Sequence, residues 1–293
     1  MLGHKMRVCF LALLLGCSSV FADGDKIYYS YQYDSDGYVN HQITNQASIK
    51  DYGIEYTHNE TTAQTAFYYD TVLATKKGKL FDVNYKLGVG TLFGLDWSPT
   101  PIYYIDLLKS GFNLNITRDA RASGSTSVSS LVGGVYSKTY SDGITLTYEF
   151  EPLPDVSIVV GGRQVMFEDG VDAQGLLFKG VYQVNDNFSI QYHNAFSFSD
   201  VNSTRYFNRK QTSINRVLLS YVKPMLNESL VFKILVGPSL TEINSRREIV
   251  PHHEEKIIYR VADAIRLEAN HLCIYSTYEY SYCQFGGNVD IIF

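Results

Sequence analysis

The chain has 293 residues, with 25 basic against 30 acidic side chains and a formal net charge of −5. No basic patch of the kind that grips a phosphate backbone is present, so no nucleic-acid partner is expected. A mean hydropathy of −0.11 with no helix-length apolar run excludes a helical membrane protein and permits a β-barrel.

The chain opens with His4, Lys5 and Arg7, then an apolar run from Val8 to Leu15, then small residues up to Val20 and Ala22. A charged start, a short apolar stretch and a small-residue site read as a signal peptide, residues 1–22, cleaved near Ala22. Leu14-Leu15-Gly16-Cys17 also fits a lipoprotein box, which would leave a lipidated Cys17. The rest, 23–293, reads as one domain. It keeps 23 of the 25 basic residues and all 30 acidic ones.

In chain order, Ile27 to Tyr33, Ile49 to Tyr56 and Ala63 to Leu73 are plausible strands. Phe81, Val83, Tyr85, Leu87 and Val89 alternate with Asp82, Asn84, Lys86 and Gly88, the two-residue period of a strand. Residues 97–127 are the least regular. Trp97-Ser98-Pro99-Thr100-Pro101 breaks the pattern, Ile105 to Leu108 suits a helical turn, and Ala120 to Ser127 is loop-like. From Gly143 to Ser199 the alternation is clean. Ile144, Leu146, Tyr148 and Phe150 oppose Thr145, Thr147 and Glu149, and Phe188, Ile190, Tyr192, Phe196 and Phe198 oppose Ser189, Gln191 and His193. Connections at 151–155, 185–187 and 223–228 are short, whereas 167–174 and 200–212 are longer and polar. Together with a charged loop expected at 241–256, the long ones should face out of the cell.

The last ten residues put Phe285, Val289, Ile291 and Phe293 in one register and Gln284, Gly286, Asn288 and Asp290 in the other. A final strand with one apolar face, ending in Phe, resembles the closing strand of bacterial outer-membrane β-barrels. The 24 Tyr and 16 Phe suit the aromatic girdles of such barrels. The resemblance implies an all-β, transmembrane, antiparallel up-and-down barrel in outer-membrane lipid. It also implies recognition by the barrel-assembly machinery through the strand ending in Phe293. At roughly 20–24 residues per strand with its connection, about 12 strands are expected, possibly 14. A secreted β-sandwich would share the alternation but bury its apolar faces in a core.

Cys273 and Cys283 form an even pair in an oxidising compartment, which permits one disulfide or two unpaired thiols. No catalytic set is expected. His193 and Ser197 share a strand, yet four residues place them about 13 Å apart. No His–Asp neighbours are visible, and Asp34 and Asp36 fit a protease only by composition. His252-His253-Glu254-Glu255 offers metal-type donors, but successive strand residues point oppositely, and a solvated loop run is the expected reading. No cofactor is implied.

If Ile144-type positions face lipid, then Glu149, Lys179 and His193 face the lumen. So do Asp82, Lys86 and Asp290, with Arg216 and Arg266 expected beside them. Such charges either line a channel and set its selectivity or plug a small barrel as structural pairs.

Residues 114–222 also resemble the barrels of synthase-dependent exopolysaccharide exporters. The likeness rests on Leu114-Asn115-Ile116-Thr117-Arg118-Asp119, Val160-Gly161-Gly162-Arg163, Met166 to Gly170, and Arg205-Tyr206-Phe207-Asn208-Arg209. It implies an export or passive channel for a saccharide or other small polar solute, contacted by Arg118, Asp119, Arg163, Lys179 and Arg216. The helical-repeat scaffold and the Ser-Pro element of those exporters are absent. The alternative is a plugged barrel acting as a surface adhesin or phage receptor through its long loops.

Overall fold

Each two-residue alternation becomes one wall element of a closed sheet. The computed structural model describes residues 25–34, 39–62, 66–94, 97–122, 138–167, 170, 172–199, 211–243, 246–275 and 281–292. The leader with Cys17, residues 123–137 and 200–210, and Phe293 lie outside the described residues.

Sixteen strands run in order: β1 (Lys26–Asp34), β2 (Val39–Ile49), β3 (Tyr52–Thr62), β4 (Ala66–Leu80), β5 (Val83–Gly94), β6 (Trp97–Lys109), β7 (Phe112–Ala122) and β8 (Lys138–Leu153). They continue as β9 (Val156–Phe167), β10 (Asp172–Gln183), β11 (Phe188–Ser199), β12 (Gln211–Met225), β13 (Leu230–Ile243), β14 (Arg246–Ala262), β15 (Ile265–Tyr275) and β16 (Ser281–Ile292). Every strand pairs antiparallel with its sequence neighbours. The ring closes where β1 meets β16, from Lys26 opposite Ile292 to Asp34 opposite Gln284.

The strand number corrects the expected 12 to 14. Residues 26–292 divide into 16 strands at about 17 residues each, below the spacing assumed for a barrel of this length. The shortfall comes from very tight turns. Phe81 and Asp82, with φ of 47° and 64°, and Ser110 and Gly111, with 46° and 85°, make two-residue hairpins whose positive φ matches the strand twist. Phe81 and Asp82 are therefore turn residues rather than the start of a strand, and Asp82 pairs with Lys79 at 3.1 Å instead of facing the lumen. The irregular stretch 97–122 is two strands, β6 and β7, with no helical turn. Pro99 and Pro101 sit near the end of β6, beside a bulge between Leu92 and Gly94 of β5. The expected loop at 241–256 is the upper half of the β13–β14 hairpin, with Glu242 opposite Arg247.

The turns at 50–51, 81–82, 110–111, 154–155, 184–187, 226–229 and 263–264 all lie at one end, with the first residues of β1 and the last of β16. Short turns mark the periplasmic end of such barrels. The two faces separate by chemistry. Ile144, Leu146, Leu176, Ile190, Val217, Leu219 and Leu267 are all exposed although apolar, so their face looks at lipid. Stacked rings, Phe112 on Tyr148 at 4.2 Å and Phe188 against Tyr221 at 4.7 Å, girdle the outer surface near the turns. The inward face is largely Ser, Thr, Asn, Gln and charge, with two buried apolar knots, Leu73, Leu92 and Ile102 packed with Tyr69 and Tyr104 on β4–β6 and Val165 and Phe167 packed with Ala173 on β9–β10, and with Leu218, Leu235 and Val250 buried besides.

Gly111 tests the tight turns. Its φ is +85°, and a Cβ there would sit 2.1 Å from the Glu149 carbonyl oxygen. Gly111→Val should therefore lose most of the heat-modifiable folded band on gels, while an outward swap such as Leu146→Val should keep it.

Candidate functional site

Ladder pairing sets Lys179 of β10, His193 of β11, Arg216 of β12 and Ser239 of β13 side by side in one inward row. Lys179, His193 and Arg216 border a cavity of about 240 Å³ with Leu177, Ala195 and Ile214. Among the described residues no carboxylate lies within ion-pair distance of Lys179 or Arg216. His193 Nε2 is 3.2 Å from Gln191 Oε1, which steadies the ring.

Below this row the β12–β13 ladder lapses. Pairing runs from Arg216 opposite Ser239 to Leu219 opposite Val236, skipping Gly237 and Pro238. Pro238 has no N–H to give. A Cβ on Gly237 would lie 2.0 Å from the Val217 carbonyl oxygen, so only glycine fits there. Around this notch Arg216 Nε, Ser239 Oγ and His252 Nδ1 are buried with no hydrogen-bond partner among the described residues. Buried polar atoms want partners, so these are the groups to which water or a solute hydroxyl would bond.

Elsewhere the inward charges neutralise one another. Glu268 accepts from Lys256 Nζ at 2.7 Å, Arg266 at 3.1 Å and Asn288 at 3.2 Å, and Tyr28 donates to Asn288 at 3.0 Å. Arg266 is thus inward but spoken for, and Asp290 sits opposite it on β16. On β3–β7, Lys86 is 3.7 Å from Glu55, and Asn115 donates to Asp106. Glu149 is inward and accepts from Ser157 at 3.3 Å; Arg163 occupies the inward row between Thr145 and Gly175.

Arg118 is the correction. It and Asp119 are neighbours on β7, so they cannot line the same face. Arg118 lies opposite Tyr103 and Asp142 in the outward register, and holds Asp142 through two bonds of 2.9 and 2.7 Å. Tyr103 adds a third to the same carboxylate, at 3.0 Å. Asp119 takes the inward position opposite Ser141, its side chain lying outside the described residues. Arg118 thus belongs to an outward set of paired polar groups. His58 Nδ1 is 2.8 Å from Asp70, which also accepts from Tyr56 at 2.7 Å, and Asn194 donates to Asn215 at 2.6 Å. The His58–Asp70 pair was invisible in the sequence because it forms between strands, 12 residues apart.

Cys273 and Cys283 are directly opposite on β15 and β16, their sulfurs 2.07 Å apart on the outward face. The run His252 to Glu255 is not a loop. It is mid-strand in β14, with His252 and Glu254 inward and His253 and Glu255 outward.

No protein-family model and no curated protein sequence matches the chain. Among solved structures, a bacterial polysaccharide outer membrane secretin superposes with a TM-score of 0.72 at 8% identity, covering 92% of this chain and 99% of that one. OccK5 (OpdH) of Pseudomonas aeruginosa superposes with a TM-score of 0.51 at 9% identity, covering 93% and 99%.

Arg118→Leu leaves the Asp142 carboxylate with its Tyr103 bond alone on the lipid-side face, so it should destabilise the barrel in urea unfolding from detergent by more than the about 1 kcal/mol of a water-exposed pair. It should leave single-channel conductance unchanged, because the side chain is not in the bore. What the chain shares with the two superposed proteins is the fold, that of an outer-membrane β-barrel.

Proposed function

We propose that this barrel is a channel, passive or for export, for a saccharide or another small polar solute, with preference for anionic forms. The observation that carries the reading is the inward row Lys179–His193–Arg216, whose two cations have no carboxylate partner among the described residues. Strand number supports a bore. Sixteen strands about 4.8 Å apart, tilted about 40°, close a ring about 100 Å round and about 32 Å across between backbones. Side chains alone do not fill that width. The likeness to a polysaccharide secretin is one of fold, and it is consistent with a saccharide as the solute. Arg163, on the next inward row but one, and the orphaned Ser239 and His252 would add contacts to the same solute. The rival, a plugged adhesin or phage receptor, requires a segment that blocks the bore.

Planar-bilayer recording separates the two. The wild-type barrel should conduct, and acidic sugars should reduce its current at lower concentration than neutral ones. Lys179→Glu with Arg216→Glu should shift the reversal potential toward cations and weaken the block by acidic sugars, with folding intact. Phe178→Lys places a charge on the lipid face instead and should impair assembly, at a cost of about 2–4 kcal/mol near midplane. A closed wild-type barrel, or a double variant with unchanged selectivity and sugar response, would overturn the reading.

A further inference from the structure

We propose that His253, Glu255 and His271 form a binding site for a divalent transition-metal ion of the zinc–copper class, on the outer surface of the barrel. Strand geometry puts the three donors together. His253 and Glu255 are two apart on β14 and share its outward face, and His271 stands directly opposite Glu255 on β15. The Glu255 carboxylate lies between the rings, with Oε1 3.3 Å from His253 Nε2 and Oε2 3.6 Å from His271 Nδ1. An ion 2.0–2.2 Å from each donor needs donors about 3.0–3.5 Å apart, so Glu255 already stands near ligand spacing from each imidazole, and side-chain shifts would bring the two imidazoles to a shared ion. The ring centroids of the two histidines are 6.0 Å apart, edge to face, leaving that room. Imidazole with carboxylate is the donor set that zinc and copper favour over calcium or magnesium.

The surroundings hold one donor in place. His271 stacks on Phe285 at 4.4 Å with an interplanar angle of 13°. Its other nitrogen, Nε2, is 3.0 Å from Cys273 Sγ, which leaves Nδ1 aimed at Glu255. Outer contacts of this kind set the ring of a metal-binding histidine. The sulfurs are bonded to each other and are not donors here. All three side chains are partly exposed on the outward face. The adjacent pair His252 and Glu254 has the same residue types facing the lumen, with 3.8 Å between them and no third donor opposite. It is a built-in control.

The test uses the untagged, oxidised barrel folded in detergent. Calorimetric titration with Zn²⁺ should show one site per chain, and Cu²⁺ bound there should give an electron paramagnetic resonance spectrum with nitrogen couplings. His253→Ala and the gentler Glu255→Gln should each weaken Zn²⁺ binding at least tenfold, while His252→Ala and Glu254→Gln stay within twofold of wild type. All four should keep heat-modifiable migration, which separates loss of a ligand from loss of the fold. The assignment is overturned if no saturable site exists, if the outward variants bind as the wild type does, or if the inward pair weakens binding as much.

Discussion

A chain crossing hydrocarbon has nowhere outside itself to satisfy its N–H and C=O groups, and every other feature of this molecule answers to that constraint. A sheet meets it only by closing. Here closure is the β1–β16 ladder, nine residue pairs joining the first described strand to the last. Once the ring is closed, the two-residue period divides each strand between lipid and lumen, and no residue can serve both. That rule, more than any motif, assigns roles. It sends Arg118 outward the moment Asp119 is inward, and splits His252-His253-Glu254-Glu255 into two pairs on opposite sides of the wall.

Much of this was legible in the sequence, and the losses have physical causes. Alternation between 143 and 199 contains its own register, so Lys179, His193 and Glu149 could be assigned a face without coordinates. Strand number was harder, because turns such as Lys50-Asp51 and Phe81-Asp82 lack the Gly and Pro that usually announce one. Apolar Phe81 continued the pattern of β5 straight through its own hairpin, and Ile49 did the same at the next turn toward the start. The proline-rich stretch before Ile102 looked like a breaker, yet the proline at 101 sits in the ladder opposite Thr91.

The outward polar pairs were missed for a different reason. Each joins residues on separate strands, Arg118 to Asp142 or His58 to Asp70, and single-strand alternation carries no information about who stands opposite. Register is a property of two strands. The sequence pattern could show only that these positions interrupt apolar runs, which reads as noise until each is seen beside its partner on the next strand. Pairing also explains why they are tolerated there. A charge among lipid-facing side chains is costly alone, and much less so when its hydrogen bonds are made within the protein.

The same distinction between paired and unpaired charge decides what the lumen can do. Glu268 with Lys256 and Arg266, or Glu55 with Lys86, hold the wall together and project little net field. The Lys179–Arg216 row is different, since its charge is not cancelled nearby. Its reach is nevertheless short. At physiological ionic strength a field is screened within about 8 Å, less than the radius of a bore whose walls stand about 32 Å apart. A small ion feels it only while it passes near that wall, whereas a longer solute must touch the wall somewhere. Discrimination in such a channel therefore favours solutes large enough to lie against the wall and polar enough to bond to it. The orphaned Ser239 and His252 beside the cations offer that second kind of contact. Under the proposed function, charge would bring an acidic group to the row, and the unsatisfied donors and acceptors around the Gly237 notch would give a hydroxyl-rich solute something to exchange water for. On the proposed channel reading, size and hydroxyl content would matter as much as charge, the profile of a saccharide more than of a simple anion.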